Sequence, residues 1–219
     1  MSEPRRVPDD PVAFRHPDFV LSVLVGSFLS FGYANREAAF WAPLYREDGL
    51  FEWLTFYGFV VAAVLFGAAA WRSIRLGTAS HGSQWLWLSF ALISILIAGE
   101  EISWGQRVFG WQTPDWLAEA NKQNETNVHN LVQIGWWYPF IATAMTVVMV
   151  VARWRLRPRA PEFYRRAFPP LVQWPSLAFI FVWTVFLYQG EVVEEIAAFW
   201  SILFSAHLYR LARDPCTAP

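Results

Sequence analysis

The chain has few of the residues that soluble enzymes use for redox or metal chemistry. It contains one cysteine, Cys216, so a disulfide framework or a thiol redox pair cannot form within it. It has four histidines in 219 residues. The sequences GxGxxG, GxxxxGK[ST], HExxH and GxSxG are absent, which argues against the dinucleotide, P-loop, zincin and serine-hydrolase chemistries that use them.

Charge is also scarce, since only 16% of the residues are charged and mean hydropathy is +0.27. Crossing the hydrocarbon core takes about 20 helical residues, and five runs without Asp, Glu, Lys or Arg can each do so. A sixth run, Ile196–Tyr209, crosses if it extends back to Gly190. The five longer runs are Phe19–Asn35, Trp53–Trp71, Leu76–Gly99, Asn130–Ala152 and Ala167–Gly190.

These runs predict an all-α polytopic membrane protein with six transmembrane helices. We place the transmembrane domain at residues 18–212, between polar tails at 1–17 and 213–219. The six helices are predicted at residues 18–35, 50–71, 85–104, 130–152, 170–188 and 191–211.

Positive charge predicts the orientation. If the N-terminus is cytoplasmic, 13 Lys and Arg residues fall in cytoplasmic segments, and 4 fall outside: Arg36, Arg46, Arg107 and Lys122. Such an excess is typical of cytoplasmic loops. We therefore expect a multi-pass protein of a bacterial inner membrane with both termini cytoplasmic. A net charge of −1 argues against nucleic acid as a partner. The expected partner is the lipid bilayer, and protein partners stay unidentified.

The second outer loop carries a helix-start signal. The sequence Thr113-Pro114-Asp115 combines an N-cap residue, a proline for the first helical position and an acid that favours a helix N-terminus. It predicts a short helix, Pro114–Asn121, between transmembrane helices three and four. The tryptophans around this helix favour a position in the headgroup layer.

Carboxylates lie at the outer ends of two predicted spans. Glu100 and Glu101 end helix three, and Glu191, Glu194 and Glu195 begin helix six. A glutamate at the end of a lipid-compatible helix costs a few kcal/mol unless it faces protein, water or a cation. These residues are therefore candidates for a functional site.

Helical spacing indicates which of these acids face the bundle. Glu101 shares a stripe of small and polar residues with Ala91, Ser94 and Ala98, and small stripes let membrane helices approach closely. Glu194 lies on a similar stripe of helix six. We predict that Glu101 and Glu194 point inward. The stripe of helix six comprises Glu191, Glu194, Ala198, Ser201 and Ser205.

The segment before helix four supplies the remaining candidates. If it is helical, Glu125 and His129 are i,i+4 neighbours that can ligate a metal together or form an acid–base pair. The predicted catalytic residues are Glu101, Glu194 and His129, and Glu125 joins these three as a metal ligand. The supporting residues are Glu100, Ser103, Gln106, Arg107, Asn130, Glu191 and Glu195.

Three chemical interpretations stay open for these residues. One histidine with several carboxylates suits a divalent metal of the Zn, Mn or Fe type. Without a metal, paired carboxylates in a low dielectric can provide a general base towards water. In the third interpretation the same residues cap helix ends and hold the outer rim together.

Two motifs, Gly99–Arg107 (GEEISWGQR) and Glu125–Leu131 (ETNVHNL), resemble a family of uncharacterised bacterial multi-pass membrane proteins with an EEISWGQR…ETNxHN signature. The segment Arg46–Thr55 is similar to the same proteins. The resemblance covers helices two to four and implies a multi-pass membrane protein without implying an activity. A distant analogy links the paired glutamates to glutamate-type intramembrane proteases, and another links the chain to ceramidase-like membrane hydrolases, which hold zinc with three histidines. The histidine motifs of both groups are absent here.

The sequence therefore predicts a membrane-embedded hydrolase or transferase that acts on a lipid or lipid-linked substrate at the outer face. One alternative is a cation- or proton-coupled carrier that uses the same acids as its ion relay. Another is a non-catalytic scaffold subunit whose outer loop docks a partner.

Overall fold

The structure is a computed structural model, and it describes residues 14–46, 49–77, 81–121, 123–128, 131, 138–159, 167–187 and 189–212. Within these residues all regular elements are helices, apart from an isolated antiparallel bridge between Asn121 and Leu131. The prediction of an all-α protein is confirmed for the described part of the chain.

Four of the described helices are long and apolar enough to cross a membrane. They are α1 (Pro17–Ala34), α3 (Leu50–Leu76), α4 (His81–Glu101) and α9 (Gly190–Leu211). Three others are single turns: α2 (Ala42–Tyr45), α5 (Gln106–Phe109) and α6 (Asp115–Ala118). Two helices have an intermediate length: α7 (Tyr138–Val151) and α8 (Trp174–Val185).

The ends of α1 and α3 follow from local chemistry. α1 begins with Pro17, which suits a first helical turn because proline lacks the N–H that would be unsatisfied there. α3 continues five residues beyond the predicted end at 71, because nothing breaks the helix before Gly77. That glycine adopts the left-handed conformation (φ 63°) that commonly ends a helix.

One of the six predicted spans is shorter than expected. α8 has 12 residues, and its predicted beginning at 170 is wrong because the consecutive prolines Pro169 and Pro170 cannot donate helical hydrogen bonds. A 3-10 turn, Leu171–Gln173, precedes it. The described part of α7 begins at Tyr138, and the predicted beginning at 130 falls among residues 129–130 and 132–137, which lie outside the described residues. After α7 the chain continues as a π turn and a 3-10 turn.

α9 is the central helix of the bundle. It packs against α1, α3 and α8, and α3 also packs along α4. At the contact of α3 with α9, a Cβ atom on Gly58 would lie 3.0 Å from the Cβ of Ala198, so the small residues bring the two helices close together. The largest core cluster joins α3, α4 and α9 through Ala62, Phe66, Ala69, Ala70, Trp87, Ala91, Phe204, Leu208 and Leu211, with Ala212 just beyond α9.

Contacts between helix ends determine which ends lie together. At what we call the Asp18 end, Gln173 before α8 donates a hydrogen bond of 3.0 Å to Asp18 in α1. Arg210 near the end of α9 lies 3.8 Å from the same carboxylate. At the opposite end, Tyr33 of α1 donates a 2.6 Å hydrogen bond to Gln189 before α9. We call this the glutamate end, because α4 ends there at Glu101.

Candidate functional site

Carboxylates from three helices gather at the glutamate end. Glu101, the last residue of α4, lies within electrostatic range of Glu194 and Glu195 of α9 and of Glu52 in the first turn of α3. All four side chains are half-buried. We call these four residues the carboxylate cluster. Glu191 is exposed and lies at its rim, within electrostatic range of Glu194 and Glu195.

The predicted inward stripe of α4 is confirmed, since Ala91, Ser94 and Ala98 are buried. The stripe of α9 is confirmed in part, because Ala198 and Ser205 are buried but Glu191 is exposed.

α9 is more enclosed than a single inward stripe would suggest. Val192 and Ile196, which lie off the predicted stripe, are 0% and 1% exposed. This enclosure explains why Glu195, predicted to be a supporting residue, belongs to the cluster together with Glu194.

Partners are unevenly distributed over the cluster, because Glu52 has an interaction of its own and the Tyr45 hydroxyl lies against Glu195. In the part of the chain that the structure describes, Glu101 and Glu194 form no hydrogen bond or ion pair. One carboxylate oxygen of Glu195, Oε2, is also buried without a hydrogen-bond partner. Like charges at low dielectric repel strongly. The cluster is therefore an arrangement that a proton, a cation or a cationic group of a ligand would stabilise.

Arg36 lies at the rim of the cluster. Its guanidinium carbon is 4.5 Å from the centroid of the Tyr33 ring, and its charge is within electrostatic range of Glu191. A guanidinium held over an aromatic ring and near a carboxylate is a stable combination. Arg36 therefore offsets the charge of the exposed Glu191.

Tyr45, in the short helix α2, lies beside Glu195. Its hydroxyl donates a hydrogen bond of 3.1 Å to the carbonyl oxygen of Leu29 in α1. Burial, and after it the charge of Glu195, raise the pKa of Tyr45 far above its ordinary value. Tyr45 therefore stays a neutral hydrogen-bond donor beside the cluster.

A second group of polar side chains is buried in the outer loop. Ser103 Oγ donates a hydrogen bond of 2.7 Å to Glu125 Oε2, and Asn127 Nδ2 donates one of 2.8 Å to the same oxygen. Asn121 Nδ2 donates to Asn127 Oδ1 at 2.7 Å. All four residues are buried, and we call them the loop network. Glu125 is thus a hydrogen-bond acceptor that holds the loop together.

The chain reverses sharply where α4 ends. Ser103 and Trp104 have φ angles of 47° and 55°, and Gly105 follows with 80°. These left-handed conformations are unfavourable for Ser and Trp, so the surroundings must hold them. The Trp104 ring packs on Gly99, where a Cβ atom would lie 2.8 Å from the ring. Trp104 Nε1 donates a 2.7 Å hydrogen bond to Glu100 Oε1, and Val128 N donates to the other oxygen of Glu100.

Gln106 connects the loop to the end of α4. Its Oε1 accepts hydrogen bonds from Thr126 N at 2.7 Å and from Thr113 Oγ1 at 3.0 Å. Because the Thr113 hydroxyl is used there, the prediction that Thr113 caps a helix is wrong. Pro114 is the N-cap of α6, and α6 is a single turn, Asp115–Ala118, instead of the predicted helix Pro114–Asn121.

The structure does not form the predicted helical pair of Glu125 and His129. Residues 123–128 form turns and bends, and Asn124 has a φ of 56°. A helix through Glu125 is therefore wrong. His129 and Asn130, and the side chain of Arg107, lie outside the described residues.

No group of three His, Cys, Asp or Glu side chains that could hold a metal ion occurs among the described residues. Glu101, Glu125 and Glu194 are all described, and they do not form such a group. The predicted metal set depends on His129 and stays a prediction.

Sequence reasoning missed Glu52 and Tyr45. A signal for Glu52 exists, because it begins the second predicted span on the face where helix three ends. Tyr45 gives no such signal, since only the packing of α2 against α3 brings it to the cluster.

No family model, curated protein or solved structure matches this chain.

Proposed function

We propose that the chain is a membrane-embedded hydrolase or transferase whose carboxylate cluster acts on a lipid or lipid-linked substrate at the outer face. The observation that carries the proposal is the approach of Glu101 and Glu194. They come from different helices, lie half-buried within electrostatic range, and have no hydrogen-bond or ion-pair partner in the described part of the chain.

Two interacting carboxylates suit proton transfer. One can accept a proton from water or from a substrate hydroxyl while the other, protonated, donates to a leaving group. Because interacting carboxylates titrate together, the general-acid and general-base roles are assigned to the pair and not to one residue. Tyr45 adds a neutral donor beside Glu195.

The surroundings of the cluster support a lipid as substrate. The first two turns of α3, which carry Glu52, also present the exposed apolar side chains of Leu50, Leu54 and Tyr57. An acyl chain that runs along this face would bring its head group to the level of the carboxylates. Large exposed apolar surface in a membrane protein is where lipid contacts it.

The proposal includes six crossings in a bacterial inner membrane, with both termini cytoplasmic. Packing of α8 against α1 and α9, and of α7 against α8, supports the two further crossings, because it joins both shorter helices to the bundle of long apolar helices. The single Cys216 tests the orientation. A membrane-impermeant maleimide should not label it in intact spheroplasts but should label Asp115→Cys in a Cys216→Ser background. The reverse pattern would contradict the orientation.

The activity is tested by comparing substituted carboxylates. Wild type, Glu101→Gln and Glu194→Gln are purified in nanodiscs with a bacterial total lipid extract, and lipid species are followed by mass spectrometry. Glu119→Gln is the matched control, because Glu119 is an exposed carboxylate of the outer loop. General acid–base catalysis contributes about 10²–10⁴-fold, so both cluster variants should lose at least about a hundredfold of the turnover. Turnover that survives in Glu101→Gln would refute the proposal.

A divalent metal of the Zn, Mn or Fe type remains a second version of the same proposal. It requires His129 to join ligands from the cluster, and the metal would then activate the water. Metal analysis of purified wild type and His129→Ala separates the versions. Stoichiometric metal that His129→Ala loses supports the metal version, whereas wild type without bound metal supports the carboxylates alone.

The carrier alternative requires a polar path from the cluster along α9. Ser205 lies on that path, but its hydroxyl donates to the carbonyl of Ile202 in the same helix at 3.0 Å. The stretch between Glu195 and Ser201 is apolar. The hydrolase or transferase is therefore better supported than the carrier, and the scaffold subunit stays a prediction.

A further inference from the structure

Three buried oxygen atoms at the Asp18 end have no hydrogen-bond partner. They are Ser22 Oγ in α1, Gln173 Oε1 in the 3-10 turn before α8, and Ser176 Oγ in α8. Each of these residues is 0% exposed. Buried polar atoms in native proteins are nearly always satisfied by protein, ordered water or an ion. Three unsatisfied oxygens in one region therefore point to a ligand.

The fold places the residues that carry these oxygens on neighbouring elements. Ser22 lies one helical turn after Asp18, so both side chains leave the same face of α1. Gln173 and Ser176 lie three residues apart where α8 begins, and α1 packs against both the 3-10 turn and α8. Gln173 Nε2 donates to Asp18 Oδ2 at 3.0 Å, which joins the two surfaces directly.

The orientation of the Gln173 amide is determined by its contacts. Nε2 has two acceptors, Asp18 Oδ2 at 3.0 Å and the carbonyl oxygen of Leu203 at 3.1 Å. An amide flip would place Oε1 against both acceptors, which hydrogen bonding does not allow. Oε1 is therefore the atom that is offered to a ligand.

Other hydroxyls of the bundle provide an internal comparison. Ser73, Ser94, Thr184 and Ser205 each donate to a carbonyl of their own helix, at 2.7–3.0 Å. This is the usual way in which Ser and Thr are satisfied inside a helix. Ser22, in the middle of α1, does not form such a bond. Its oxygen therefore lacks the partner that these other hydroxyls have.

We propose that the Asp18 end binds one alkali cation, Na⁺ or K⁺, with Asp18, Ser22, Gln173 and Ser176 as the oxygen ligands. Hard cations select carboxylate, amide and hydroxyl oxygens, and one buried carboxylate balances a single positive charge. Arg210 only partly compensates Asp18, because it lies 3.8 Å away and its side chain is 59% exposed. This site is at the opposite end from the carboxylate cluster and does not depend on the proposed activity.

Thermal unfolding of the purified full chain tests the site. Melting is compared in the chlorides of sodium, potassium and choline at equal ionic strength. A ligand at about 100 times its Kd should raise the midpoint by about 5–10 °C over choline for a chain of this size. The larger shift identifies the ion as Na⁺ or K⁺.

The double variant Ser22→Ala/Ser176→Ala removes two ligands with little change in volume, and it should lose the difference between the salts. Ser94→Ala is the matched control, because Ser94 is a buried hydroxyl that is satisfied within its own helix, and it should keep the difference. Equal midpoints in all three salts, or a difference that survives in the double variant, would overturn the proposal and leave ordered water as the occupant.

Discussion

Four glutamates at the glutamate end form two pairs that differ in what their oxygens contact. Glu100 and Glu125 accept hydrogen bonds from the outer loop. Glu101 and Glu194 accept none in the described residues, although Glu100 and Glu101 are adjacent in sequence. Residue type and position along the bundle are shared, so the difference lies in the partners. A carboxylate that the fold satisfies holds structure, whereas one left unsatisfied among like charges is a site candidate.

The largest effect on stability is expected in the loop network. In Glu125→Gln the new amide would meet the donors of Ser103 and Asn127, and the network would lose its charged acceptor. We expect a loss of about 2–3 kcal/mol in the free energy of unfolding, together with faster proteolysis within residues 102–128. Glu119→Gln, on the exposed side of the same loop, should change stability by less than about 0.5 kcal/mol. Equal behaviour of the two variants would remove the distinction between the groups.

The opposite sign is expected in the carboxylate cluster. Glu194→Gln removes one like charge from a half-buried group, so the free energy of unfolding should rise by about 1–2 kcal/mol while activity is lost. Chemical denaturation of Glu194→Gln and Glu125→Gln in one detergent compares the changes in their free energies of unfolding. A loss of stability in Glu194→Gln would mean that Glu194 has a structural partner.

A smaller effect is expected where Glu100 holds the loop. Trp104→Phe keeps most of the ring that packs on Gly99 but removes the 2.7 Å hydrogen bond to Glu100. We expect a loss of about 1 kcal/mol and no change in the properties of Glu101. If the variant instead alters activity as strongly as Glu101→Gln, the two adjacent glutamates act as one unit.

The smallest effect concerns pH. The raised pKa of Tyr45 means that the folded state holds the Tyr45 proton more tightly than the unfolded state does. The resulting stability is complete below the ordinary tyrosine pKa of about 10 and is lost as pH rises above it. Wild type should therefore lose more stability between pH 9 and 11 than Tyr45→Phe. If the free energy of unfolding falls with pH equally steeply in wild type and in Tyr45→Phe, Tyr45 is not enclosed beside Glu195.

The limits of a helix were predictable where the apolar run in its own sequence determines them. The limits of α1 and α9 lie within one residue of expectation, because α1 is a continuous apolar run and α9 follows from extending the run Ile196–Tyr209 back to Gly190. The inward direction of Glu101 also followed from helical spacing. The length of α8 did not, since the prolines before it were read as part of an apolar run.

The loop could not be predicted because its conformation depends on tertiary partners. The left-handed backbone at Ser103 and Trp104 is held by contacts with Gly99 and Glu100 and by the loop network. Glycine at 105 was the one local sign of a reversal. Glu125 was assigned to the functional site from its i,i+4 spacing to His129 in a segment assumed to be helical, and its role became clear only from its donors.

The most direct measurement is a double-mutant cycle of Glu101→Gln and Glu194→Gln, read as the free energy of unfolding. If the two carboxylates repel each other, either substitution relieves the same repulsion, and the double variant should gain at least about 1 kcal/mol less than the sum of the single gains. Additivity within about 0.3–0.5 kcal/mol, as is typical of independent sites, would show that the two glutamates do not form one site.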